Sequence, residues 1–237
     1  MSYLNLIGLR IDKLSYENLL DEIQKEKISL AYVNAHTFNE CYRNHLYVHL
    51  LNEFDLRHPD GIGIYFASKI LYGRNGFKKR ITGSDFYPML AQKGIELGWR
   101  FFFFGHDEKT LSLIQKNYPG LIIAGTQNGI EFDSNEVIQK INSSNADILI
   151  VGLSFPKQER WIIDNKNRLT CQRIISVGDG IKVFAGIKKR GPKFMRILGF
   201  EWFTRLLHEP LKYSKRYVIG NPLFVYRIFA LKVRNLF

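Results

Sequence analysis

Five short runs of the chain, Leu30–Val33, Phe101–Phe104, Leu121–Ala124, Ile148–Val151 and Ile174–Val177, are apolar at nearly every position. A strand with one wetted face alternates apolar and polar residues. A strand that is apolar on both faces must be covered from both sides, which is the condition of a parallel sheet between helical layers. Phe54–Arg57 is a weaker sixth run. Most runs lead through glycine or a polar turn into a helical pattern. In "FFFFGHDEKTLSLIQKNYPG" the whole unit is visible: strand, turn at Gly105, acidic helix start, and a Pro-Gly stop. In "FDSNEVIQKI", Asp133 stands as an N-cap with Glu136 three residues on, the spacing of a capping box. The expectation is an α/β, Rossmann-like domain over residues 1–190, doubly wound, with a mostly parallel sheet and helices on both faces.

The remaining residues, 191–237, differ in kind. Residues 1–185 carry 22 Lys/Arg against 20 Asp/Glu, whereas residues 186–237 carry 12 against two, Glu201 and Glu209. A near-neutral body therefore ends in a strongly basic helical appendage, suited to nucleic acid, anionic lipid or a phosphorylated substrate. One helix is expected over Lys193–His208, stopped before Pro210, and a second from Pro222. The second interleaves Arg227, Lys232 and Arg234 with Leu223, Phe224, Ile228, Phe229 and Val233, as in a helix lying on a membrane surface with its basic side chains reaching the head groups. A terminal helix packed on the core is the plainer alternative. The 46% hydrophobic content of 237 residues is enough for one sizeable core. Two cysteines, Cys41 and Cys171, make no disulfide framework and suit a reducing compartment. The first residues show no secretory signal pattern, and no uncharged run approaches the roughly 18 residues of a membrane span.

Ligands of open α/β sheets bind beyond the carboxyl ends of the strands. Four segments fall there. "YVNAHTFNEC" offers Thr37 and Asn39 at a helix start, where free backbone N–H groups suit an anion or a sugar hydroxyl, or where Thr37 merely caps. "LRHPDGIGIYFASKI" places Asp60 before two glycines, as a general base or as a turn residue. "KKRITGSDFYPML" leads Lys78, Lys79 and Arg80 into a capped helix start, a phosphate site or a solvated charge run. "GLSFPKQERWI" places Pro156, Lys157, Gln158 and Glu159 in a first helical turn, where a diphosphate is electrostatically favoured. Some patterns are missing. Gly61-Ile62-Gly63 has Phe66 where a dinucleotide fingerprint needs its third glycine, and there is no P-loop. Ser154 is followed by Phe155-Pro156, so it is no nucleophile elbow. His45 and His49 have no evident third metal ligand, and Asp-x-Asp occurs nowhere. An enzyme of nucleotide diphosphates without Asp-x-Asp would need positive side chains as its counter-charge.

Taken in order, "NAHTFN", "PDGIGIYFASKILYG", "KRITGSD", "VGLSFPKQERWI", "SVGDGIKVFAGIKKRGPKFMRILGFEWFTRLLHEP" and "KRY" resemble the WecG/TagA/CpsF glycosyltransferase family over roughly residues 5–220. The resemblance implies a bacterial, inverting, metal-independent enzyme without cofactor. It would move an N-acetylmannosamine-type sugar, or in some branches a uronic acid, from a UDP donor to a sugar on polyprenyl diphosphate. The place would be cytoplasmic, peripheral to the inner face of the cell membrane, with no nucleic-acid partner and a homo-oligomer left open. By matching motifs, Asp60 would be the base, with Thr37, Arg80 and Gln158 as its catalytic companions. Asn39, Gly83, Asp85, Gly105, Gly152, Pro156, Lys157, Glu159, Gly178, Arg190, Arg205 and Arg216 would form the substrate-binding set. The chain departs from the pattern at Gly191-Pro192, where many relatives have another small residue.

The chemistry fits these roles. Inversion is one in-line displacement, so a carboxylate must take the proton of the acceptor hydroxyl. The departing UDP needs its charge met, which guanidinium groups do bidentately. Two other classes remain as competitors. A nucleic-acid-binding module would use the basic tail, although its cations alternate with long apolar side chains. A dehydrogenase would respond to NAD, although the glycine fingerprint is missing.

Overall fold

The computed structural model describes residues 2–25 and 27–234. It opens with an antiparallel hairpin, β1 (Tyr3–Leu6) and β2 (Leu9–Asp12), followed by α1 (Tyr16–Gln24). The main body then runs β3 (Ile28–Val33), α2 (Ala35–Arg43), α3 (Leu46–Asn52), β4 (Leu56–Pro59), α4 (Ile62–Tyr72), α5 (Gly83–Leu97), β5 (Arg100–Gly105) and α6 (Glu108–Asn117). It continues through β6 (Ile122–Gln127), α7 (Ser134–Ser143), β7 (Ile148–Gly152), α8 (Lys157–Asn165), β8 (Arg173–Ser176) and α9 (Ile181–Phe184). The last helices are α10 (Lys193–Leu198), α11 (Glu201–His208), α12 (Pro210–Ser214) and α13 (Gly220–Arg234), with a π-helical turn, Lys215–Ile219, joining α12 to α13.

β3 to β8 form one six-stranded sheet in the order β4-β3-β8-β7-β5-β6, parallel at every pairing. In four of the five apolar runs alternate residues enter opposite cores, as their composition demands; β6, at the sheet edge, has no fully buried residue and exposes Ile122. Phe102, Phe104, Leu149, Val151 and Ile174 meet α2, α3, α4, α7, α8 and α13 on one face. Phe101, Phe103, Ile148, Ile150 and Ile175 meet α1, α5, α6 and α9 on the other. The exposed side of edge strand β4 is occupied by the hairpin: Asp12 accepts from Arg57 N at 2.8 Å and forms a buried ion pair with its guanidinium at 3.3 Å. Such covering prevents an edge from pairing with another chain.

Several boundaries differ from the sequence reading. The sixth strand is Leu56–Pro59 rather than Phe54–Arg57, because Phe54 turns into the core while Arg57 and His58 are buried with their backbone in the ladder. The single helix expected over Lys193–His208 is broken at Gly199, whose φ of +84° ends α10 in the left-handed region that glycine tolerates. The helix expected from Pro222 begins two residues earlier, at Gly220, as a continuation of the π-helical turn. Asp133 does cap α7, accepting from Asn135 N at 2.8 Å and Glu136 N at 3.0 Å. α13 buries Phe224 and Ile228 in the same core as α2 and α4, with Phe224 edge-on to Phe38 at 5.2 Å.

Candidate active site

Strands β4, β3 and β8 are neighbours, and their carboxyl ends deliver Asp60, Asn34 and the Gly178–Gly180 turn to one rim. Asp60 N donates to Val33 O at 2.8 Å, which ties the exit of β4 to that of β3. Its carboxylate is then fixed from two directions. Oδ1 accepts from Gly83 N, the first residue of α5, at 2.9 Å, and Oδ2 accepts from Asn34 Nδ2 at 3.3 Å. Asn34 cannot turn its amide over, because its Oδ1 already caps α2 by accepting from His36 N at 3.0 Å and Thr37 N at 3.1 Å. The cap of α2 is therefore Asn34, not Thr37. Thr37 lies buried within the first turn, its Oγ1 donating to Asn34 Oδ1 at 3.3 Å.

Asp60 faces a recess with two compartments, which share Asn34, Asp60, Arg205 and Arg216. The larger, about 320 Å³, lies between α4 and α13. Ile62, Phe66, Ala67, Ile70, Phe224 and Ile228 give it an apolar wall, and Arg80, Glu201 and His36 a polar end. The smaller, about 50 Å³, is bounded by Tyr32, Ser84, Tyr87, Asp179, Lys188 and Tyr213. Positive charge dominates the junction. Burial works against the Arg205 cation, yet Tyr217, Asp60 and Glu201 around it hold its pKa above the ordinary value. His36 is driven the other way: burial first, then Arg216 and Arg43, lower it to about 4. It is a neutral hydrogen-bonding group at neutral pH.

The other residues expected at the site divide clearly. Arg80 lines the large compartment and donates to Arg196 O of α10 at 2.7 Å; Gly83 supplies the N–H on Asp60. Arg190 pairs with Asp85 and, at 3.0 Å, with Glu201, so it joins α5 to α11. Burial opposes the charge of Asp85, but hydrogen bonds from Arg190 and Thr82 hold its pKa below the usual carboxylate range. Asn39 is buried beneath α13, donating to Gly220 O at 2.7 Å and accepting from Arg227 Nη1 at 2.8 Å. Gly105 and Gly152 stand opposite each other where β5 and β7 end; a Cβ at Gly105 would come within 2.4 Å of Gly152 O. Pro156 opens α8, and Lys157 lies over the Phe132 ring at 4.6 Å, away from the recess.

Gln158 and Glu159 point inward from α8 and are fully buried. Gln158 Oε1 accepts from Gly178 N at 3.0 Å, while its Nε2 donates to Glu159 Oε1 at 2.7 Å and reaches Tyr32 Oη at 3.5 Å. It thereby holds the turn that carries Asp179. Only glycine suits position 178: φ is +54°, and a Cβ would lie 2.6 Å from Tyr32 Oη. Among the described residues Glu159 Oε2 has no hydrogen-bond partner, and burial raises its pKa to about 7. Unfolded, the group titrates near the ordinary glutamate value of 4.5, so the folded state holds the proton longer. Its effect is a loss of stability as pH rises from about 4.5 to 7, flat above that. Glu159→Gln removes this slope. Relative to wild type, the variant should gain about 2–3 kcal/mol between pH 4.5 and pH 8, roughly 5–10 °C in Tm for a chain of this size. Thermal melts at both pH values check this; identical pH responses would reject it.

Asn34, His36, Trp202, Tyr217, Asp179, Lys188 and Tyr213 also line the recess and were not singled out from sequence. Asn34 had a usable signal, an Asn directly after an apolar run and at capping distance from the next helix. Lys188 had none, since it stands in a basic run beside Lys189 and Arg190. Among the described residues, no group of three or more His, Cys, Asp or Glu side chains is arranged to hold a metal ion.

Comparison with known proteins defines the class. The model of the glycosyl transferase WecG/TagA/CpsF family matches residues 4–236. The N-acetylglucosaminyldiphosphoundecaprenol N-acetyl-beta-D-mannosaminyltransferase of Bacillus spizizenii strain W23 is 31% identical over 190 residues, 78% of this chain and 72% of that protein. The enzyme of the same name from Staphylococcus aureus strain MW2 is 25% identical over 239 residues, 96% of this chain and 92% of that protein. The chain belongs to the WecG/TagA/CpsF family and is a glycosyltransferase.

Proposed function

We propose that the chain transfers an N-acetylmannosamine-type sugar from UDP to the N-acetylglucosaminyl residue of a polyprenyl diphosphate, with inversion and without a metal ion, in bacterial surface polysaccharide or teichoic acid synthesis. The observation that carries this reading is Asp60, a carboxylate fixed by Gly83 N and Asn34 and opening onto a recess with Arg80, Arg205 and Arg216. The acceptor hydroxyl attacks the anomeric carbon as Asp60 takes its proton. The bond from that carbon to the UDP oxygen breaks, and its electron pair leaves with UDP. Arg205 and Arg216 are the available counter-charge for that anion. The relatives' names, which specify an N-acetylglucosaminyl diphospholipid and an N-acetylmannosaminyl group, support the choice of substrates.

Residues 191–237 would be the membrane-associating appendage. No described helix is long and apolar enough to cross a membrane. Yet Phe194, Ile197, Leu198, Leu207 and Leu211 are exposed on α10, α11 and α12, with Leu211 98% exposed, in the most basic part of the chain. Apolar side chains among cations suit the interface of an anionic bilayer at the inner face of the cell membrane. Leu207→Glu combined with Leu211→Glu should lower binding to anionic liposomes at least about tenfold while leaving Tm unchanged, since each lost leucine forfeits about 1.5–3 kcal/mol of burial. Unchanged co-sedimentation would remove this surface from the model.

The decisive assay is transfer of radiolabelled sugar from UDP-N-acetylmannosamine to a short-chain N-acetylglucosaminyl diphospholipid with EDTA present. Product is expected. Activity only with UDP-uronic acids would correct the donor, activity only after metal is restored would correct the mechanism, and no transfer from any UDP-sugar would overturn the reading.

A further inference from the structure

The small compartment contains a charge arrangement that the transfer reaction as drawn leaves unused. Asp179, on the turn after β8, is the centre of it. Lys188 Nζ donates to Asp179 Oδ2 at 3.1 Å and to its backbone O at 3.2 Å. Tyr213 Oη donates to the same Oδ2 at 3.1 Å, and Lys182, 3.5 Å from Oδ1, also reaches Glu209 at 3.4 Å. Lys188 is thus the second ammonium on Asp179, although Lys182 is shared with Glu209. Lys188 lines the compartment that also receives Arg205 and Arg216, so three cations there face two carboxylates, Asp60 and Asp179.

Burying a surplus cation is unfavourable unless an anion comes to it. The compartment's roughly 50 Å³ has room for a group of a few heavy atoms, such as one phosphoryl group, next to the carboxylate that would activate the acceptor. An ammonium gives a phosphoryl oxygen a compact point charge, where Arg205 and Arg216 give planar, paired donors.

We infer that Lys188 is a nucleotide-binding residue of this enzyme, pairing with a phosphoryl oxygen of the donor's diphosphate in the small compartment. The assignment rests on the UDP-sugar reading and adds to it a residue outside the set matched by motif. It has a further consequence. Burial, and then Arg205, lower the Lys188 pKa to about 8, against the opposing effects of Asp179 and Asp60. A bound anion favours the protonated ammonium, so nucleotide affinity is full below pH 8 and falls as pH rises through it. The groups that face Lys188 do not reproduce this. Arg205 stays charged, Tyr213 is raised above its ordinary value, and the phosphates of UDP are fully ionised throughout that range.

The test is UDP binding to the full chain by calorimetry at pH 7 and pH 9.5, for wild type, Lys188→Met and Lys188→Arg, with melting curves to verify folding. Wild type should bind several-fold more weakly at pH 9.5. Lys188→Met should bind about tenfold more weakly at pH 7 and lose the pH dependence. Lys188→Arg should recover affinity at pH 7 and keep it at pH 9.5. If wild type binds UDP and Lys188→Met matches it at both pH values, the assignment is wrong and Lys188 only braces Asp179. If wild type binds no UDP at either pH, the donor reading falls and this assignment falls with it.

Discussion

Asp60→Asn should fold and yet lose about 10²–10⁴-fold in kcat, the range for removing a positioned general base. The local geometry says why folding survives. Asn Oδ1 can still accept from Gly83 N, but the new amide NH₂ would face Asn34 Nδ2, which is a donor and is held in place by capping α2. One hydrogen bond is lost at a partly exposed site, about 0.5–1.5 kcal/mol. Tm should therefore move by only a few degrees while turnover collapses. UDP affinity should not fall, because the substitution removes a negative charge and no positive charge from the recess. Single-turnover transfer and calorimetry separate the two quantities. Near-normal transfer would remove Asp60 as the base.

The second large effect is expected at Arg205. It reaches both compartments, lies within hydrogen-bond range of Ser84 Oγ at 3.3 Å, and keeps its charge despite burial. Charge develops on the departing diphosphate only as the glycosidic bond breaks, so a cation placed for that moment acts mainly on kcat. Arg205→Met should lower kcat by about 10²–10³-fold, with a smaller change in donor KM. Added guanidinium should restore part of the rate, since it can occupy the vacated space and supply the same planar cation. A rise in KM with kcat unchanged would mean that Arg205 contributes only ground-state binding.

How far the sequence led depends on what each segment needed from its neighbours. Phe101–Phe104 and Ile148–Val151 were legible as buried strands because both faces of the sheet are covered, and consecutive apolar residues report that directly. β4 was blurred because Arg57 is buried against a polar partner far along the chain, Asp12, and His58 is buried beside it. The hairpin β1–β2 escaped notice for the same reason: its role is to cover β4, a relation between distant segments. In the site, Asp60 could be named from its place after a strand. The orientation of the Lys157-Gln158-Glu159 triplet could not. Successive helix residues are about 100° apart, so three adjacent polar side chains cannot share one direction. Here Lys157 turns to Phe132, and the other two turn into the core. Likewise the break at Gly199 allows α11 to place Arg205 in the recess, and only the packed structure distinguishes that glycine from one tolerated within a helix.

The strand order has a consequence for how the molecule comes into being. β8 is the last strand to be synthesised, yet it lies between β3 and β7 in the sheet. Until it inserts, β4-β3 and β7-β5-β6 are two ribbons, each with an unpaired parallel edge facing outward. Such pairing across the length of the chain is slow, and open edges invite association with other chains. The strand that joins the ribbons also delivers Gly178 and Asp179 to the rim, beside Asn34 and Asp60. No half-assembled chain can therefore hold a working recess: the step that closes the sheet is the step that creates the catalyst.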